Sequence, residues 1–153
     1  MSTTKDAASA NSFDRRTVVF TNGVFDIIHP GHVEIFRRCR ELAGDDGCVV
    51  VAINDDASVR RLKGECRPVV CEKDRVDVVS GMANIDVVML FREDTPQKLI
   101  ESIRPDYIVK GGDYKLEDVV GHELAKVVIV PLDGHSTTAI IEKISGPCKA
   151  RRT

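Results

Sequence analysis

Five short runs rich in valine and isoleucine recur along the chain: "TVVF" at 17–20, "CVVVAI" at 48–53, "DVVML" at 86–90, "DYIVK" at 106–110 and "KVVIV" at 126–130. Each run is continuous rather than alternating, which suits a strand covered on both faces and therefore demands helices on either side of a sheet. The intervening sequence supplies them. In "GHVEIFRRCRELAGDDG", Ile35, Phe36, Cys39, Leu42 and Ala43 fall at helical spacing, Arg37, Arg38, Arg40 and Glu41 take the other face, and Gly44 stops the helix. A shorter helix capped by Asp55 or Asp56 is predicted through Leu62, and another over "CEKDRVDVVSGMA". A fourth is predicted over "TPQKLIESI", with Thr95 as cap and Pro96 at the first helical position, and a last over 136–144, opened by Ser or Thr. Strand and helix alternating through short connections predict an α/β fold, a single Rossmann-like, doubly wound parallel sheet of about five strands with right-handed crossovers. In such sheets ligands bind beyond the carboxyl ends of the strands.

A chain of 153 residues, 42% of them hydrophobic, can bury one sizeable core. The expected organisation is a tail at 1–15, one domain over 16–146 and a second tail at 147–153. The 22 Lys and Arg against 24 Asp and Glu leave no basic excess of the kind duplex binding requires, so a nucleic-acid partner is not expected. A small anion is still compatible, since local positive sites do not need a basic average. The five cysteines are odd in number and lack CxxC spacing, which favours reduced thiols and a cytoplasmic protein over a disulfide framework or a zinc site. No apolar run approaches a membrane span, and no internal repeat is present.

The first strand runs directly into "TNGVFDIIHPGH", which sets His29 and His32 around a Pro-Gly step where the next helix begins. Metal ligation is the weaker reading, because helical zinc pairs favour i, i+4 spacing and no convincing third ligand follows; no metal site is expected. Phosphate binding fits better. Asn22-Gly23 ends the strand in a turn that lets a ligand approach the backbone, and free N–H groups near Gly31 and His32 attract anions. The two imidazoles would add donors that strengthen as charge develops at phosphorus.

"HPGH" resembles the HxGH signature of the nucleotidyltransferase superfamily that includes cytidylyltransferases. With "VAINDDASVRRLKG", "RPV", "EDTPQKLI", "VKGGDY" and "STTAII" in the same order, the chain from about 17 to 145 resembles the heptose 1-phosphate adenylyltransferases. That resemblance implies attack by the anomeric phosphate of D-glycero-D-manno-heptose 1-phosphate on the α-phosphate of ATP, giving ADP-heptose and pyrophosphate for lipopolysaccharide core synthesis. It implies Mg2+ carried mainly on substrate phosphates and a homodimer. In many bacteria the enzyme is the C-terminal half of a protein whose other half is a sugar kinase. No such half is visible here, so the phosphorylated heptose is expected from a separate protein.

Carried onto this sequence, the resemblance implies catalytic roles for His29, His32, Lys63 and Arg75. It implies nucleotide contacts from Thr21, Asn22, Gly23, Phe25, Asp26 and Gly31, from Lys110, Gly111, Gly112 and Asp113, and from Ser136, Thr137 and Thr138 at the start of the last helix. The residues alone leave some alternatives open. Lys63 is expected on a loop, and Arg75 suits either bidentate phosphate contact or an ion pair with Glu72. Asp26 can orient His29 or bind ribose. His122 is expected on a helix surface. The sequence departs from the family at His135, where cysteine is common; His135 is a phosphate contact or a space filler. Val130-Pro131-Leu132 stands where cytidylyltransferases often carry an arginine, which tilts the base toward adenine. Two alternatives stand beside this reading: a cytidylyltransferase acting on glycerol 3-phosphate or a similar ester, and a nucleotide-binding subunit without chemistry.

Overall fold

Each valine-rich run forms a strand, and all five pair in parallel in one sheet. In the computed structural model, which describes residues 15–146, the strands are β1 (Val18–Gly23), β2 (Cys48–Asn54), β3 (Val87–Phe91), β4 (Tyr107–Gly111) and β5 (Lys126–Val130). The helices are α1 (Pro30–Ala43), α2 (Asp56–Lys63), α3 (Glu72–Ser80), α4 (Gln97–Ile103) and α5 (Thr137–Ser145), with a 3-10 turn at Leu116–Asp118 that periodicity does not predict. The expected tails lie outside the described residues except for Arg15, which pairs with Asp106 at 3.2 Å.

The strand order is β3-β2-β1-β4-β5. The chain winds outward from β1 through β2 to β3, then returns to place β4 on the other side of β1, so the winding direction reverses between β1 and β4. That reversal opens a crevice at the carboxyl edge of the sheet. The pairing register shows where: β1 pairs with β2 through Gly23↔Ile53, whereas its pairing with β4 covers only Val19↔Tyr107 and Phe20↔Ile108.

Because side chains alternate across a strand, the buried sheet feeds two cores. Val19, Val49, Val51 and Val109 pack with Phe36 and Cys39 of α1 and Val79 of α3. Phe20, Val50, Ala52 and Ile108 pack on the other face with Phe91, Ile100 and Val119.

Four local expectations are corrected. Thr95 does not cap α4: the helix starts at Gln97 with no side-chain cap bond, and the Pro96 carbonyl closes its first turn by accepting from Ile100 N–H at 3.0 Å. Lys63 is the last residue of α2 rather than part of a loop. His122 lies in a turn, with Nδ1 3.0 Å from the Val119 carbonyl, and not on a helix. Cys39, Cys48 and Cys71 are free thiols, but Cys66 is disulfide-bonded. Among the described residues no helix is long and apolar enough to cross a membrane.

Phe20 is fully buried at the centre of the second core. Phe20→Ala is expected to lower unfolding free energy by about 3–5 kcal/mol, read from urea denaturation followed by far-UV circular dichroism.

Candidate active site

The link from β1 to α1 is tight. Phe25 adopts φ +50, a left-handed conformation that a bulky residue holds only when its surroundings require it. Its ring packs edge-on against His32 and tilted against Phe36, both at 5.2 Å. A Cβ at position 23 would stand 3.2 Å from Phe25 Cζ, so glycine lets that ring lie across the strand end.

His29 is the N-cap of α1. Its Nδ1 accepts from Gly31 N–H at 3.1 Å, and His32 Nδ1 accepts from His29 N–H at 3.4 Å, closing a reciprocal capping box. A ring nitrogen that accepts carries no proton, so each neutral imidazole bears its proton on Nε2. The rings stack at 3.8 Å with planes 25° apart. Burial, and then the neighbouring His135, lower the pKa of His29; burial, and then His29, push His32 down to about 4. Near neutral pH the pair therefore consists of two uncharged Nε2–H donors. Gly31 is needed for the stack, since a Cβ there would come within 2.9 Å of His29 Cε1 and 3.2 Å of Leu132 Cδ2.

Two cavities flank the histidines. One, of about 380 Å³, opens at the β1–β4 crevice and is lined by Thr21, Asn22, Gly23, Phe25, His32, Lys63, Lys110, Gly111 and Tyr114, among others. The other, of about 750 Å³, lies between α1 and the segment after β5 and is lined by His29, Glu34, Arg37, Leu132, Asp133 and His135, among others. In the first, Lys110 Nζ is 3.4 Å from the Asn22 carbonyl and 3.3 Å from Asn22 Oδ1, and 5.6 Å from the Tyr114 ring. Burial, and then Lys63, bring the Lys110 pKa down to about 8. Among the described residues, neither Lys63 nor Lys110 forms an ion pair.

The cytidylyltransferase-like family model matches residues 20–145. The chain belongs to that family. It is 50% identical over 133 residues to the bifunctional protein HldE of Wolinella succinogenes, covering 86% of this chain and 27% of that protein. Against HldE of Campylobacter concisus it is 52% identical over 132 residues, with 85% and 27% covered. The chain thus spans about a quarter of the length of these relatives. The crystal structure of a lipopolysaccharide core biosynthesis protein from Thermoplasma volcanium GSS1 superposes with a TM-score of 0.62 at 28% identity, covering 80% of this chain and 100% of that one.

Within this cytidylyltransferase-like domain the expected site residues divide. His29, His32, Lys63, Lys110, Thr21, Asn22, Gly23 and Gly111 gather at the carboxyl edge. Two others are corrected. Asp26 neither bonds His29 nor lines either of these two cavities: it accepts from Val69 N–H at 2.9 Å, Val70 N–H at 2.7 Å and Arg67 Nε at 2.9 Å, with its side chain fully buried. Arg75 does not reach the site either. Its fully buried guanidinium donates to the Val70 carbonyl at 2.9 Å, the Val24 carbonyl at 2.6 Å and Asp56 Oδ1 at 2.8 Å, so its ion-pair partner is Asp56, not Glu72.

The three hydroxyls before and within α5 each have a partner. Ser136 Oγ caps the helix by accepting from Ala139 N–H at 3.0 Å, Thr137 Oγ1 donates to the Ile27 carbonyl at 3.3 Å, and Thr138 Oγ1 meets Arg67 at 3.5 Å. Gly112 N–H bonds the Val130 carbonyl at 2.9 Å, and Asp113 is exposed. The residue missed in the sequence is Arg67. It stands in the "RPV" motif, and its guanidinium spans from Asp26 to the first turn of α5.

Arg75→Leu leaves Asp56 and two carbonyls without their donor and is expected to destabilise the domain by about 3–5 kcal/mol, measured as a lowered urea midpoint. The histidine pair predicts a pH dependence. An unfolded histidine titrates near 6.5 and His32 at about 4, so between these values the unfolded chain binds more protons and stability falls as pH is lowered through that window. Urea midpoints measured from pH 7.5 to pH 4.5 should decline, and the decline should flatten in His32→Asn.

Proposed function

We propose that this domain transfers the adenylyl group of ATP to the phosphate of D-glycero-D-manno-heptose 1-phosphate, releasing pyrophosphate and forming ADP-heptose for lipopolysaccharide core synthesis. The observation that carries this reading is the stacked His29–His32 pair, two neutral Nε2–H donors at a helix N-terminus between two cavities. The motif resemblance to heptose 1-phosphate adenylyltransferases supports the substrates, as does the similarity to a lipopolysaccharide core biosynthesis protein. Two cavities suit a reaction that must seat two anionic partners against one phosphorus atom.

In the reaction an oxygen of the sugar phosphate attacks the α-phosphorus of ATP. The bond from that phosphorus to the α–β bridging oxygen breaks, and its electrons leave with pyrophosphate. Negative charge on the non-bridging α-oxygens rises on the way, and the two Nε2–H donors strengthen their hold as it does. Lys63 and Lys110 neutralise charge in the smaller cavity. Arg67, rather than Arg75, is the guanidinium close to the α5 N-terminus, where the β- and γ-phosphates are held with Ser136, Thr137 and Thr138. Gly111, Gly112 and Asp113 lie beside the nucleotide in this reading. Among the described residues no group of three or more His, Cys, Asp or Glu is placed to hold a metal ion, and the Asp26 carboxylate is taken by three donors. In this reading Mg2+ enters as a counter-ion carried on the triphosphate. A homodimer in the cytoplasm completes the proposal.

Pyrophosphate release measured with ATP, GTP and CTP against heptose 1-phosphate and glycerol 3-phosphate should be fastest for ATP with the heptose. A clear CTP preference would overturn the reading, and tight ATP binding with no release would point to a non-catalytic subunit. Replacing either histidine by alanine should lower kcat by about 10²–10³-fold, with the urea midpoint lowered only by the roughly 0.5–2 kcal/mol that a lost helix cap costs.

A further inference from the structure

His135 is where the chain departs from the family pattern, and the fold gives that residue a specific place. The segment after β5 turns through Asp133 at φ +47 and Gly134 at φ +79, and His135 N–H closes the turn on the Leu132 carbonyl at 2.9 Å. The next residue, Ser136, caps α5. This turn sets the exposed imidazole of His135 opposite His29, with ring centroids 6.2 Å apart and planes within 20°. That separation is too wide for contact between stacked rings, which meet at roughly 3.5–4 Å. The two rings are therefore separate side chains on one wall of the site rather than a stacked pair.

Both rings line the larger cavity. The charged and titratable groups around it are Glu34 and Arg37 from α1, Asp133 on the same turn, and His32 behind His29. Arg67 approaches from the segment between α2 and α3 by way of Thr138.

We propose that His135 is a third imidazole donor of the site, holding an oxygen of the phosphate chain that leaves as pyrophosphate, while the single free N–H of His29 serves the α-phosphate. The proposal rests on the nucleotidyl-transfer reading but assigns His135 to polyphosphate rather than to the base or the acceptor. The His29–His32 pair serves the α-phosphate, α5 receives the far phosphates, and His135 occupies the step between them.

The test is direct binding by calorimetry, using a non-hydrolysable ATP analogue, pyrophosphate and AMP with wild-type protein, His135→Ala and His135→Arg. His135→Ala should weaken the analogue and pyrophosphate roughly tenfold and leave AMP within about twofold, while His135→Arg, which restores a donor, should recover most of the loss. Unchanged affinity for the analogue and pyrophosphate would overturn the proposal. So would an equal loss for AMP, which would assign the ring to the nucleoside, or a rise in the KM of the sugar phosphate alone. The ring is exposed, so matching urea midpoints are expected and unfolding would not mimic the effect. Since binding is read without turnover, a failure of heptose transfer in the wild type would overturn the functional reading while leaving this one standing.

Discussion

The hydrogen bond from Gly31 N–H to His29 Nδ1 is the interaction on which the site depends. A helix N-terminus must find acceptors for its first N–H groups and usually takes them from Ser, Thr, Asp or Asn. Here an imidazole does the capping, and one choice then fixes several properties. The ring is held by the helix it caps, its accepting nitrogen is deprotonated, and its remaining N–H becomes a donor of known identity. Each residue of "HPGH" has its own reason within this arrangement. Pro30 lacks an N–H that would otherwise need a partner, Gly31 leaves room for the His29 ring, and His32 returns the favour by accepting from the His29 backbone. Burial then keeps both rings uncharged, so the pair presents two directed N–H dipoles rather than two cations.

Around that cap the buried charges form a frame. Asp26, just past the end of β1, gathers two backbone N–H groups and Arg67 from the segment between α2 and α3. Arg75 ties the same segment to the Val24 carbonyl and to Asp56 at the start of α2. Both carboxylates are thereby occupied, which removes negative charge from the region where anionic substrates are proposed to sit. Truncating either partner would leave the other charge or its hydrogen-bonding groups without compensation. The frame therefore contributes to electrostatics by what it withholds as much as by what it presents.

The sheet was legible in the sequence because continuous valine-rich runs admit few other burials, and all five strands fall where those runs stand. The histidine pair was legible because a Pro-Gly step after a strand announces a helix start. Arg75 and Arg67 were not distinguishable in the same way. Their carboxylate partners lie 19 and 41 positions away, so neither helical spacing nor local charge says which guanidinium turns inward. Asp26 was misread for the same reason, since its donors are backbone groups more than 40 positions on. Cap positions at α4 shifted because Pro96 can close the first turn through its own carbonyl and leaves Thr95 no task. The hydroxyls of Ser136, Thr137 and Thr138 were recognisable as a group, but only the Ser136 cap is local; Thr137 and Thr138 meet Ile27 and Arg67, 110 and 71 positions away.

Lys110 shows how the topology itself creates a demand for a ligand. Where β1 and β4 stop pairing, a backbone ladder no longer joins the two strands, and the Lys110 ammonium spans the opening through long contacts to Asn22. A part-buried cation with two carbonyl oxygens and the Tyr114 ring for partners but no carboxylate is poorly compensated, and Lys63 across the cavity makes it worse; its lowered pKa of about 8 expresses that deficit. A carboxylate placed there would relieve it permanently and close the crevice to substrate. Leaving the pair unmatched among the described residues is what the proposed binding of an anionic substrate requires. The winding reversal of the sheet thus does more than open a gap: it sets two ammonium groups beside that gap with no carboxylate partner among the described residues.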